Sequence, residues 1–174
     1  MRNPPGRIRA GANKGDGVEQ HNGRIDRASR IILAAPRVLY RAFVDAERLA
    51  NWRAPAGMSA TIRDFDPRVG GGYVMVLRHT DPAAAGEGKT NAQEDHILVR
   101  FAEIIPEELI EEEVRFVSDD PAFARAMTLT TRFTPVKGGT KVSFEASNVP
   151  DAITAGDHID GMDASLRNLA LVTE

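Results

Sequence analysis

Two carboxylates on otherwise apolar strand faces are the clearest candidates for chemistry in this sequence. Glu103 alternates in phase with the apolar residues at 97, 99 and 101, and Glu112 with those at 110, 114 and 116. If the Pro106-Glu107 turn is tight, Glu112 lies opposite Phe101 and diagonal to Glu103. Two carboxylates on one wall of low dielectric constant repel each other, so one of them is expected to hold its proton.

A β-bulge near Glu111 would turn these side chains outward instead, and we favour that arrangement for Glu112. Glu103, if it points inward, is then the one group of the wall that can orient a donor of a ligand. His79 is in phase with Tyr73 and Met75 but lies next to a predicted loop. We therefore expect His79 at the rim of any cavity, in contact with solvent.

The sequence lacks the motifs of the common catalytic, phosphate-binding and dinucleotide-binding sites. The sequence has no Gly-x-Ser-x-Gly elbow and no dinucleotide fingerprint, and the glycines at 70–72 lack the Lys-Ser/Thr of a phosphate-binding loop. Cysteine is absent, which excludes disulfides, thiolate ligands and thiol catalysis. No metal site and no cofactor are predicted, because the histidines lack the spacing of metal ligands. These histidines are His21, His79, His96 and His158.

A glycine-rich stretch from Phe65 to Tyr73 organises the elements that position these groups. It separates an apolar run at 58–65 from an alternating run at 73–79, which predicts a β-hairpin. Three consecutive glycines at 70–72 allow the sheet to curl sharply or another backbone to approach closely. A curled sheet needs an element to curl around, and the C-terminal helix pattern is the one that is long enough.

The remaining patterns give an α+β order. An opening strand at 24–33 precedes a helix that begins near Pro36 and a short helix from Ala46 to Trp52, and alternating strands follow at 97–105, 109–117, 127–133 and 141–146. The last helix spans about 154–172, and its glycines predict irregular first turns, with firm helix from Met162. We predict a curved antiparallel sheet of about seven strands, wrapped around this helix.

Length and composition predict one domain at 24–174 behind a flexible tail at 1–23, because the tail has few large apolar side chains. A shortened chain that begins at Arg24 should fold equally well. The net charge of −3 gives no general basic field, so neither nucleic acid nor membrane is predicted as a partner. No apolar segment reaches the length of a signal peptide core or a membrane span, and we expect a cytoplasmic protein.

Several stretches between residue 24 and the C-terminus resemble one known family. They are Pro36–Phe43, Asn51–Trp52 ahead of Pro55–Met58, Asp66–Tyr73, Glu103–Leu109, Gly138–Val142 and Ser165–Leu169. Together they resemble the START/Bet v 1 (SRPBCC) superfamily, and within it the activator of heat shock protein 90 ATPase homologue 1-like family. The resemblance implies a helix-grip fold, in which the sheet and the long helix enclose a cavity for a hydrophobic or amphipathic molecule.

The resemblance and the strand phases together predict the ligand-binding residues. They are Trp52, Phe65, Tyr73, Met75, Leu77, His79, Val99, Phe101, Glu103 and Met162. A cavity of the ~300–1,000 Å³ class that holds small ligands is expected.

Three functions are compatible with this sequence. The leading hypothesis is a binding protein for a small hydrophobic or amphipathic molecule, without established catalysis. The second is a cyclase-like or hydrolase-like enzyme that uses Glu103 with His79 or Tyr73 as acid and base. The third is a regulator of a chaperone ATPase that acts through its outer surface, and a homodimer is also possible.

Overall fold

Seven antiparallel strands and three helices account for the regular structure in the computed structural model, which describes residues 23–81, 83 and 93–174. The elements are β1 (Ile25–Ile32), α1 (Pro36–Phe43), α2 (Ala46–Arg53), β2 (Met58–Asp66), β3 (Gly72–His79), β4 (Glu94–Ile105), β5 (Leu109–Phe116), β6 (Met127–Val136), β7 (Gly139–Ser147) and α3 (Ala155–Thr173). A short 3₁₀ turn at Pro121–Phe123 lies between β5 and β6.

The predicted tail at 1–23, except Gly23, and most of the predicted loop at 80–90 lie outside the described residues. The division into a tail at 1–23 and a domain at 24–174 therefore stays a prediction.

The strands form one sheet in the order β1-β7-β6-β5-β4-β3-β2. Strands β2 to β7 are a meander in which each strand pairs with the next, and β1 pairs with β7 at the far edge. Helix α3 packs against β1 and α2, and it buries Leu166 and Leu169 in the core. The predicted curved sheet around a C-terminal helix is confirmed.

The glycines after β2 allow two backbones to meet closely. The Gly70 amide donates to the Phe101 carbonyl at 2.8 Å, and the Phe101 amide donates to the Gly71 carbonyl at 2.9 Å. A Cβ on Gly72 would overlap the carbonyl oxygen of Val99. Of the two roles expected for the glycine run, the close approach of another backbone is the one that these contacts require.

A β-bulge lies on β4, and this corrects our preferred arrangement of the two carboxylates. Phe101 pairs with Glu112 as predicted, but the next pair is Glu103 with Glu111, so Ala102 is the extra residue. The bulge was predicted on the wrong strand. Because β5 is regular, Glu112 stays on the inner face and is 1% exposed, whereas Glu103 is turned to solvent.

The start of α3 was also predicted wrongly. The helix is regular from Ala155 and is not irregular before Met162. The reason is a good N-cap: the Thr154 hydroxyl oxygen accepts a hydrogen bond from the Asp157 amide at 3.2 Å. This cap offsets part of the cost of Gly156 and Gly161 in the first turns.

Candidate functional site

A cavity of about 190 Å³ lies between the inner face of the sheet and α3. Its wall is mostly apolar and comes from α2, from every strand between β3 and β7, and from α3. The lining residues are Arg53, Pro55, Met75, Ile97, Val99, Val114, Phe116, Met127, Leu129, Phe144, His158, Gly161, Met162 and Ser165. The volume is below the size class that we expected. Large side chains predicted to line the space, such as Trp52 and Phe101, are instead packed into the core.

The predicted ligand-binding residues divide into those that line this cavity and those that do not. Met75, Val99 and Met162 line it. Trp52 is fully buried beside it, and its indole N–H donates to the Ala42 carbonyl at 2.9 Å. Tyr73, Leu77 and Phe101 are buried in the core, and the rings of Tyr73 and Phe101 are 5.7 Å apart.

The other predicted residues lie away from the cavity wall. Phe65 is half-buried with its ring 5.9 Å from the Tyr73 ring, and His79 is half-buried at the end of β3. Glu103 is exposed. The predicted acid and base pair of Glu103 with His79 is therefore not assembled inside the cavity.

A buried cluster of Arg53, Glu112 and Tyr73 occupies one part of the site. Arg53 Nη2 donates to Glu112 Oε2 at 3.1 Å, and the Tyr73 hydroxyl donates to Glu112 Oε1 at 2.7 Å. The side chains of Arg53 and Glu112 are 11% and 1% exposed. The Arg53 guanidinium carbon also lies 5.3 Å from the centre of the Trp52 ring. This distance is within the range of a favourable cation–π contact.

The groups of this cluster stabilise one another's protonation states, with Tyr73 neutral and Arg53 charged beside the Glu112 carboxylate. Burial raises the pKa of the Tyr73 hydroxyl well above its ordinary value, and the Glu112 carboxylate adds to that shift. Tyr73 is therefore a neutral donor at physiological pH. Burial opposes the charge of Arg53, but the charge and hydrogen bond of Glu112, together with Tyr73, raise the pKa of the guanidinium overall. Arg53 Nη1 is buried and has no hydrogen-bond partner among the described residues.

A second polar cluster meets the cavity from the side of β1. Asp26, 2% exposed, accepts hydrogen bonds from Arg24 at 2.7 to 3.2 Å. Its Oδ2 also lies 2.7 Å from His158 Nδ1, and His158 is one of the cavity residues. Arg24 in turn donates to the Ile153 carbonyl at 2.7 Å, which ties β1 to the segment before α3.

The Asp26 ion pair predicts a change of stability in acid. The hydrogen bond from Arg24, with help from His158, lowers the pKa of Asp26. A lowered pKa in the folded state stabilises the protein above the aspartate pKa of the unfolded chain, about 3.9. Above that pH, the free energy of unfolding of wild type should exceed that of Asp26→Asn by about 1.5–3 kcal/mol. The difference should vanish as the pH falls through the lower pKa of the folded protein.

The measurement is denaturant unfolding of both proteins, from neutral pH down to below the Asp26 pKa of the folded protein. The matched control is Asp119→Asn, at an exposed position. A wild-type advantage that persists unchanged in acid would contradict the assignment of this stability to the Asp26 carboxylate.

Sequence reasoning missed Arg53, Asp26 and His158 as site residues, although a helical signal was present for two of them. Arg53 follows Leu49 by four positions, and His158, Met162 and Leu166 recur every four residues along α3. Asp26 is in phase with the buried Ile32 of β1. A polar residue in a buried phase is the signal that identifies such groups.

A larger groove of about 380 Å³ lies on the outer face of β1, β6 and β7, next to Arg27, Arg132 and Lys141. It is open, and its charged lining side chains are exposed and have no buried charge to neutralise. Across residues 23–81, 83 and 93–174, no three acidic or histidine side chains are grouped in a way that could hold a metal ion. No helix in that part of the chain is long and apolar enough to cross a membrane.

Comparison with known proteins agrees with the resemblance seen in the sequence. The family model described as "Activator of Hsp90 ATPase homolog 1-like protein" matches residues 33–174. The crystal structure of protein CV1439 from Chromobacterium violaceum is 31% identical with a TM-score of 0.76, covering 86% of this chain and 96% of that one. A search of curated proteins gave no match.

More distant structures share the fold. Protein Mll3558 from Rhizobium loti is 25% identical with a TM-score of 0.64, covering 85% of this chain and 95% of that one. An AHSA1-like protein from Aeromonas hydrophila is 17% identical with a TM-score of 0.65, covering 85% of this chain and 90% of that one. With its seven-stranded sheet closed over α3 and a family match from residue 33 to the C-terminus, the chain belongs to the activator of Hsp90 ATPase homologue 1-like family of the SRPBCC superfamily.

Proposed function

We propose that the protein binds a small amphipathic molecule in the cavity beneath α3, with an oxygen acceptor of the ligand against Arg53. The observation that carries this proposal is the unpaired Nη1 of Arg53, next to a wall that is otherwise mostly apolar. A family of this fold is compatible with such a ligand, but fold alone does not identify a function.

One donor of Arg53 is unused because Glu112 bonds only the other side of the guanidinium, and a ligand could bond the unused donor. Glu112 is already shared between Arg53 Nη2 and the Tyr73 hydroxyl, so it satisfies one side of the guanidinium. A buried donor without an acceptor is costly, and the cost is greater for a charged group. A carboxylate or carbonyl oxygen in the cavity would form a charge-assisted hydrogen bond with Arg53 and remove that cost.

The apolar part of the ligand is limited by the cavity. Methionines from three elements line it, namely Met75, Met127 and Met162. Their flexible thioether side chains can adapt to ligands of different shape. At about 190 Å³ the space suits a molecule smaller than a typical drug, such as one with a single aromatic ring system.

Calorimetric titration with 2-naphthoate tests the proposal. Wild type should bind one molecule, and Trp52, the single tryptophan, should report binding by a change in fluorescence. The double variant Arg53→Met/Glu112→Gln removes both charges and keeps an acceptor for Tyr73. It should bind at least about tenfold more weakly, because a hydrogen bond to a charged group is lost.

Arg48→Met is the matched control, because Arg48 lies on the same helix but is exposed. It should bind 2-naphthoate like wild type. Equal binding by the double variant and wild type would contradict the role of Arg53, and absence of binding to wild type would contradict the proposal as a whole.

A surface-acting regulator is the second candidate, and one observation favours it. Leu33, Leu171 and Val172 are 69%, 82% and 50% exposed. Leu33 lies near the C-terminus, since its amide donates to the Glu174 carboxylate at 3.0 Å. Leu33→Ser/Leu171→Ser should abolish stimulation of a chaperone ATPase if this surface acts on it, while 2-naphthoate binding stays unchanged. Analytical ultracentrifugation of the same variant would show whether the surface instead joins two copies of the chain.

A further inference from the structure

His158 enters the cavity with one ring nitrogen already fixed. Its Nδ1 lies 2.7 Å from Asp26 Oδ2, and Asp26 is ion-paired with Arg24. An ionised carboxylate only accepts hydrogen bonds, so Nδ1 carries the proton. In the neutral imidazole, Nε2 is then a hydrogen-bond acceptor. Among the described residues, Nε2 has no hydrogen-bond partner.

Asp26 and the start of α3 are also held by other hydrogen bonds. Three hydrogen bonds from Arg24 already satisfy the Asp26 carboxylate, and Thr154 already caps the start of α3. What the contact between His158 and Asp26 does determine is the tautomer and the direction of the ring, as a carboxylate does for a histidine that must accept a proton or a hydrogen bond from a bound molecule.

We propose that His158 Nε2 is a second binding point of the cavity, which accepts a hydrogen bond from a hydroxyl group of the ligand. This inference rests on the proposed function and specifies its ligand class. The ligand has an oxygen acceptor that contacts Arg53 and a hydroxyl that contacts His158, joined by an apolar body. Hydroxylated aromatic carboxylic acids have this chemistry, and fully apolar molecules do not.

Two polar groups of the cavity wall differ in hydrogen bonding, since Arg53 donates and His158 accepts, and this difference would give a bound ligand a direction. Arg53 can only donate. In neutral His158, Nδ1 donates its proton to Asp26, so Nε2 can only accept. A ligand bound in the reverse direction would place its hydroxyl against a donor that prefers an anion, and its carboxylate against a lone pair. Such mismatched polar groups discriminate more strongly than apolar contacts do.

The test compares 2-naphthoate with the 2-naphthoates that carry a hydroxyl at position 5, 6 or 7, by calorimetry above neutral pH. For the isomer of matching length, wild type should bind the hydroxylated compound about threefold to tenfold more tightly. His158→Phe should lose this preference, because a phenyl ring has no acceptor for the hydroxyl. His79→Phe, the same change outside the cavity, should keep the preference.

The outcomes separate this inference from the proposed function. Binding of 2-naphthoate with no preference for any hydroxylated isomer overturns the role of His158 and leaves the proposed function intact. No binding of any of these compounds overturns both. If His158→Phe fails to fold, the imidazole ¹⁵N signals of wild type decide: a proton on Nδ1 supports the proposal, and a proton on Nε2 overturns it.

Discussion

Replacing Arg53 with methionine should lower the free energy of unfolding by about 3–5 kcal/mol, the effect of leaving a buried charge without its partner. Glu112 is 1% exposed, so water cannot replace the guanidinium that it loses. The Tyr73 hydroxyl would still donate to Glu112, but one neutral hydrogen bond does not compensate a buried carboxylate. Equilibrium unfolding in urea measures the change.

The double variant Arg53→Met/Glu112→Gln should recover most of this loss, because it removes the charge along with its partner. Arg48→Met should stay within about 0.5 kcal/mol of wild type, as substitutions at exposed positions usually do. A single variant as stable as the double one would show that Glu112 does not depend on Arg53. The site would then be an ordinary part of the core.

Truncation of Leu166 to alanine should cost about 2–5 kcal/mol, since it removes buried methyl groups and leaves a void beneath α3. Leu166 is 1% exposed and belongs to the main apolar cluster. Leu171→Ala, at a position 82% exposed on the same helix, is the matched control and should change stability by less than about 0.5 kcal/mol. Thermal and urea unfolding of both variants are the measurements. Similar small losses in the two variants would mean that α3 is not held by its inner face.

The fold was predictable because the sequence repeats its local signals. Most strands alternate cleanly and are separated by glycine or proline turns. The long apolar stripe of the C-terminal helix, from Met162 to Ala170, needs a large apolar surface to pack on, and the sheet provides it. The start of α3 was mispredicted because glycine counts against a helix in any propensity scale. The Thr154 cap offsets part of that cost, and a propensity scale does not include it.

The site was less predictable because its contacts join distant parts of the chain. Asp26 and His158 meet across 132 positions, and Arg53 and Glu112 across 59. Periodicity identifies the buried phase of each element, but it does not say which polar residue on one element faces which residue on another. The bulge at Ala102 has no glycine or proline to announce it, so Glu103 was placed inside the protein by simple alternation.

That bulge also determines how relatives should be compared with this chain. Along β4 the inner face is built by odd-numbered residues up to Phe101 and by even-numbered ones after it, as the packing of Ile104 shows. In a relative without the bulge, residues of the same parity, odd or even, face the interior along the whole strand. Aligning the two by residue count would then equate solvent-facing positions with interior ones beyond residue 101. Ligand specificity inferred by transfer along β4 is meaningful only when the strands are matched by hydrogen-bonded pairs, and one inserted or deleted residue there exchanges the interior and exterior sets of side chains.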